Sequence, residues 1–159
     1  MSPTFRLAGE ADLETLIEFM RQFYAIDAYP FDESVARRAL REFLGEPLFG
    51  RAWLIEVDAA PMGYLVLTLG YSLEYHGRDA FIDELFVEPS SRHQGIGKRA
   101  MQFAEAACRE LGVHALHLEV ERHNLAAQEL YRQSGFEDHE RFLMSKRLGE
   151  TPKSLDNPR

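Results

Sequence analysis

Residues 80–111 constrain the fold more than any other stretch. An apolar run at residues 81–87 breaks at Glu88-Pro89-Ser90-Ser91. The chain then turns through Arg92-His93-Gln94-Gly95-Ile96-Gly97-Lys98. Beyond it, Ala100, Met101, Ala104, Ala107, Cys108 and Leu111 recur at the spacing of one helix face, and Gly112 stops the pattern. The order is strand, glycine loop, helix. A helix start leaves backbone N–H groups without partners and carries partial positive charge. Glycine lets a phosphate approach the backbone, and Arg92 and Lys98 add full charges. The stretch therefore reads as an anion site at residues 92–98.

Three phosphate-binding patterns compete for it. A P-loop needs glycine where Arg92 stands and Ser or Thr where Arg99 stands, so it is rejected. Gly95-x-Gly97-x-x-Ala100 fits a variant of the dinucleotide fingerprint, with Glu119 at about the right distance. That fingerprint places its glycine directly after the strand, whereas here residues 88–94 intervene. The third pattern, Arg92-x-x-Gly95-x-Gly97 after Leu85-Phe86-Val87, resembles the acetyl-CoA-binding motif of the GNAT superfamily of N-acyltransferases. A second stretch carries the same resemblance further. Leu118-Glu119-Val120 is followed by Asn124, by small residues, by Leu130-Tyr131 and by Gly135-Phe136, in the family's order.

Around these motifs the chain reads as alternating elements. A short strand covers residues 4–8, and an amphipathic helix covers residues 10–24. Asp32 caps a second helix that ends at Gly45. Apolar runs at residues 52–57 and 64–69 form a hairpin across the turn at residues 58–63. A polar loop at residues 70–79 leads to the strand at residues 80–87. A strand at residues 114–120 follows the long helix and runs parallel to that one. Asn124 caps a short helix, and residues 142–148 supply a last strand. This is the element order of the GNAT fold. The expected class is α/β (α+β), one domain over residues 1–148 with a polar tail at residues 149–159. Its sheet is mixed and mostly antiparallel, with a splayed central parallel strand pair flanked by helices.

The resemblance implies an N-acetyltransferase that moves acetyl from acetyl-CoA to a primary amine, leaving coenzyme A, by direct attack in a ternary complex. An acyl-CoA-binding domain without catalysis is the alternative. The coenzyme's pyrophosphate would meet Arg92, His93, Gln94, Gly95, Ile96, Gly97 and Lys98. Its pantetheine arm would meet main chain at Phe86 and Val87, with Asn124 and Tyr131 nearby. Tyr131 is the candidate general acid for the departing thiolate, because a phenol stays protonated at neutral pH. For the base, Glu119 comes first, then Glu84 and Asp83; on a regular strand only one of that pair faces a given side. Tyr24, Asp27, Tyr29 and Tyr75 are the candidate acceptor contacts. Dimers are common in similar proteins, so a homodimer is also implied.

Charge and composition exclude other classes. A net charge of −8 argues against bulk nucleic-acid binding and is compatible with a cationic acceptor, small molecule or peptide. No apolar run approaches the ~20 residues of a membrane span. One cysteine excludes an internal disulfide and a cysteine-based zinc site, and it fits a cytoplasmic location. His114 and His117, on one strand at odd spacing, face opposite sides, so no metal site is expected.

Overall fold

The computed structural model describes residues 2–149. Strand β1 (Thr4–Leu7) leads through a 3-10 turn into helices α1 (Leu13–Ile26) and α2 (Glu33–Gly45). Strands β2 (Gly50–Val57), β3 (Ala60–Ser72) and β4 (Gly77–Val87) follow as a meander. Helix α3 (Ile96–Glu110), strand β5 (Ala115–Leu118) and helix α4 (Leu125–Gln133) complete the described elements. The sheet order is β1-β2-β3-β4-β5, antiparallel throughout except for the parallel β4–β5 pair.

Strand alternation builds two cores. Ala52, Leu54, Tyr64 and Val66 face α1 and α2, where they meet Leu16, Ile17, Phe19 and Leu40. Trp53, Leu65 and Leu67 face the other side, where α3 lays Ala100, Met101, Ala104 and Cys108 against them. Each large aliphatic side chain buried in this way contributes about 1.5–3 kcal/mol. The small residues of α3 let its axis lie close to the sheet. Cys108 is one of them, and burial pushes its thiol up to about 11, so it packs rather than reacts.

One irregularity in β4 positions the site. Leu67 pairs with Ile82, but Val66 pairs with Glu84, so Asp83 is an extra residue in the strand. Before this bulge, Ala80 and Ile82 point toward α3. After it, Phe86 points toward α1. Glu84 lies two residues from Phe86 and opposite Val66, and so shares the α1 side.

The expected caps form. The Asp32 carboxylate accepts from the Ser34 and Val35 amides at 3.0 and 3.2 Å. Asn124 Oδ1 accepts from the Ala127 amide at 3.1 Å. Three expectations need correction. The β2–β3 turn is short, with Asp58 and Ala59 both at positive φ, so β3 starts at Ala60 and residues 60–63 of the expected turn are strand. The polar stretch at residues 70–79 is mostly strand as well, because β3 and β4 stay paired out to Ser72 and Gly77. Residues 142–148 form no strand among the described residues, despite their composition. Beyond Gly149 the expected polar tail lies outside the described residues. No helix among them is long and apolar enough to cross a membrane.

Candidate active site

The parallel pairing of β4 with β5 runs only from Asp79–Ala115 to Ile82–Leu118. Beyond Ile82, β4 continues to Val87 with no described partner on that side, while the β5 chain leaves the sheet. A gap therefore opens between the two strands, and Asp83 and Glu84 stand where it begins.

Glu84 is half-buried and held by two phenols. Tyr64 Oη donates to its Oε2 at 3.1 Å, and Tyr24 Oη donates to its Oε1 at 3.5 Å. Burial pushes the Glu84 carboxyl up to about 7, helped by the nearby charge of Asp83, while the two phenols pull the other way. Burial wins because a charge loses more by leaving water than two neutral donors return. Asp83 is exposed by area, yet the surrounding protein still raises its carboxyl. Tyr64 is fully buried in the α1-side core, and desolvation followed by the Glu84 charge raises its phenol well above its ordinary value.

At the far end of β4 the loop turns into α3. Gly95 caps the helix at φ 78°, in the left-handed region, with no side-chain cap. His93 is also at positive φ. The amides of residues 93–98 donate to no acceptor among the described residues; Arg99 is the first that does, to the Gly95 carbonyl. Such a run of free N–H groups with left-handed residues in it forms an anion-binding concavity. Arg92 Nε donates to the Val87 carbonyl at 2.9 Å, which ties the loop to the strand end. Ile96 is buried, so only its backbone faces the loop. An added Cβ on Gly97 would stand 3.1 Å from Leu130 Cδ2. Its lack of side chain thus also lets α4 sit against the start of α3. Lys98 and Gln94 are exposed.

Tyr131 lies on α4, half-buried, its ring edge-on to Phe136 at 6.1 Å. Burial raises its phenol, and its hydroxyl has no hydrogen-bond partner among the described residues. Glu119 is exposed past the end of β5 and its side chain makes no hydrogen bond or ion pair among the described residues. Asn124 keeps its helix-capping role, which occupies Oδ1 and leaves the amide nitrogen. Tyr29 donates to Glu121 Oε1, and Asp27 Oδ1 lies 3.7 Å from His123 Nε2. The α1–α2 connection therefore reaches across to the chain that follows β5. Tyr24 adds a contact to β4, so three of the four candidate acceptor residues converge on the gap. Tyr75 does not. It sits at the other end of β4, near His117 and His139. Among the described residues no His, Cys, Asp or Glu cluster could hold a metal.

Tyr64, Glu121 and His123 are additions that the sequence reading missed. Tyr64 carried a signal, being a hydroxyl inside an otherwise apolar strand run opposite an acidic pair. Glu121 and His123 carried none, since their partners lie across a tertiary contact.

The family model for the acetyltransferase (GNAT) family matches residues 13–136. The chain belongs to the GNAT acetyltransferase family. Among curated GNAT relatives, thialysine N-epsilon-acetyltransferase of Bos taurus is 26% identical over 142 residues, 84% of this chain and 83% of that protein. An integron cassette protein from the mobile metagenome of Cole Harbour Salt Marsh is 36% identical, with a TM-score of 0.82 over 92% of this chain and 91% of its own. The predicted acetyltransferase from Clostridium acetobutylicum, solved with acetyl-CoA, shares the fold at 17% identity and a TM-score of 0.77, over 91% and 96% of the two chains. The GNAT family uses acetyl-CoA, and two features of this chain fit that coenzyme. The free amides at residues 93–98 suit a pyrophosphate, and the unpaired side of β4 beyond Ile82 suits an extended amide-bearing arm.

Proposed function

We propose that the protein is an N-acetyltransferase acting on a primary amine at the end of an aliphatic chain. The single observation that carries this reading is Glu84, a carboxylate with its pKa at about 7 at the mouth of the β4–β5 gap. An aliphatic amine is protonated at neutral pH, and removing its proton costs roughly 4–5 kcal/mol there. A base poised near the working pH, in a site drier than bulk water, offsets part of that cost. Glu84 Oε1 or Oε2 takes the proton, directly or through a water, and the Tyr24 and Tyr64 hydroxyls hold the carboxylate in place. Asp83 and Glu119 are more exposed, and neither is gripped by a second side chain.

Acetyl-CoA, when bound, supplies the acetyl group as an activated thioester. The amides of residues 93–98, with the Arg92 guanidinium and Lys98, would hold its pyrophosphate. The Phe86 and Val87 main chain and the Asn124 amide would hold its arm. Tyr131 Oη, protonated and not bonded elsewhere in the described chain, holds the proton that the departing sulfur takes. Asp27, Tyr29 and Glu121 line the acceptor side. Their acidity favours a cationic chain, in keeping with a relative named for the ε-amine of thialysine.

Thiol release from acetyl-CoA across an amine panel that includes thialysine, lysine and short diamines tests this. Turnover with aliphatic amines is expected. Stabilisation by acetyl-CoA without turnover on any amine would leave a binding domain instead. Stabilisation by NAD or NADP but not by acetyl-CoA would remove the coenzyme assignment.

A further inference from the structure

We infer that the acceptor site runs along β4 from Glu84 to Asp79, and that Asp79 receives a second cationic group of the acceptor. This rests on the acetyl-transfer reading and names the substrate class within it. The bulge at Asp83 makes the strip. Ala80 and Ile82 point toward α3, so Asp79 and Phe81 point to the α1 side. Glu84 joins them because the extra residue moves it into the place Asp83 would take on a regular strand. On β5, Leu116 and Leu118 face α3, so His117, paired with Phe81, faces the α1 side as well.

The helices leave this part of the face open. The α1-side core takes Tyr64 and Val66 from β3 and Phe86 from β4, and nothing from either strand beyond Glu84 toward their hairpin. Phe81 is accordingly 39% exposed although β4 is an inner strand. Asp79 is held but reachable. Its Oδ2 lies 3.3 Å from His117 Nε2, and the two side chains stay 16% and 18% exposed. Its Oδ1 lies over Gly70, where a Cβ would stand 2.7 Å away, and accepts no hydrogen bond among the described residues. The Phe81 and Tyr75 rings flank His117 at 5.0 and 4.9 Å. Tyr75 Oη lies 3.4 Å from His139 Nε2, and Arg141 forks onto Glu74, so the chain after α4 walls this end.

An aromatic floor between two fixed carboxylates suits a methylene chain with an ammonium at each end. Asp79 pairs with Gly70 and Glu84 with Val66, four residues apart on β3, which sets the two acids about 13 Å apart along the strand. Ammonium groups roughly 8–10 Å apart reach both, once a hydrogen bond to each is allowed for. Diaminoheptane has that reach, heptylamine lacks the second charge, and diaminopropane is too short.

Steady-state acetylation of these three amines tests the inference. In the wild type, KM for diaminoheptane should be roughly 10–100-fold below that for heptylamine, with kcat within about twofold. Diaminopropane should show no such advantage. In Asp79→Asn the KM values of diaminoheptane and heptylamine should converge. Equal KM values in the wild type overturn the inference, as does an advantage shared by diaminopropane or one that survives in Asp79→Asn. If no amine turns over, the acetyl-transfer reading falls, and calorimetric titration of diaminoheptane into the coenzyme A-loaded protein decides the subsite by itself. Binding weakened at least tenfold in Asp79→Asn supports it; no binding, or equal binding to both proteins, overturns it.

Discussion

The Tyr64 hydroxyl donates to the Glu84 carboxylate at 3.1 Å from a fully buried position, so the donor cannot be replaced by water. A donor to the ionised form stabilises it and lowers its pKa. Tyr64→Phe should therefore move the acid limb of kcat/KM upward by roughly one pH unit, the equivalent of one charged hydrogen bond. A pH–rate profile checks this; a limb that stays in place would separate Glu84 from the rate.

Glu84→Gln should lower kcat by roughly 10²–10³-fold and abolish the limb near pH 7. It also has a stability signature. Glu84 ionises near 4.5 in the unfolded chain and at about 7 in the folded one. The folded state keeps the proton longer, so stability falls as pH rises between those values, at a cost of about 3 kcal/mol once both states are ionised. Melting temperatures between about pH 5 and about pH 8 should fall by roughly 5–10 °C more in the wild type than in the variant.

Tyr131→Phe removes a hydroxyl that bonds to nothing in the described chain. Stability should change by less than about 0.5 kcal/mol. Turnover should drop roughly 10²-fold with coenzyme affinity within about twofold of wild type. Calorimetric titration with coenzyme A beside steady-state kinetics separates the two effects, and undiminished turnover would remove the acid role.

Gly97→Val should act on packing before it acts on binding. Its new side chain meets Leu130 at the α3–α4 contact, and overpacking of this kind costs about 1–3 kcal/mol. A lowered melting temperature without ligand is expected. Equal melts with weakened coenzyme binding would instead place the whole effect at the phosphate loop.

Much of this was readable in advance because it rests on local chemistry. The stripe from Ala100 to Cys108, the caps at Asp32 and Asn124, and the glycine at the start of α3 each announce themselves within a few residues. The bulge at Asp83 did not. Strand alternation alone would have put Ile82, Glu84 and Phe86 on one face, and only the β3 register shows that they divide. The Tyr64–Glu84 contact follows from that register and was hidden with it. The β2–β3 turn was placed but drawn too long, because Asp58 and Ala59 take positive φ without a glycine or asparagine to mark a two-residue turn. Residues 142–148 have the composition of a strand, but a strand also needs an edge to bond to, and composition does not say where that edge is.

The extra residue in β4 sets how the strand bends at this enzyme-like centre, apart from the chemistry of its side chains. Deleting Asp83 would leave Glu84 intact and every other side chain unchanged. The ladder would close with Ile82 still opposite Leu67 and Glu84 still opposite Val66, so the acid and Phe86 would hold their faces and only the kink and added twist of the strand would be lost. What such a deletion would alter is the angle at which β4 departs from β5, and with it the width of the opening between them.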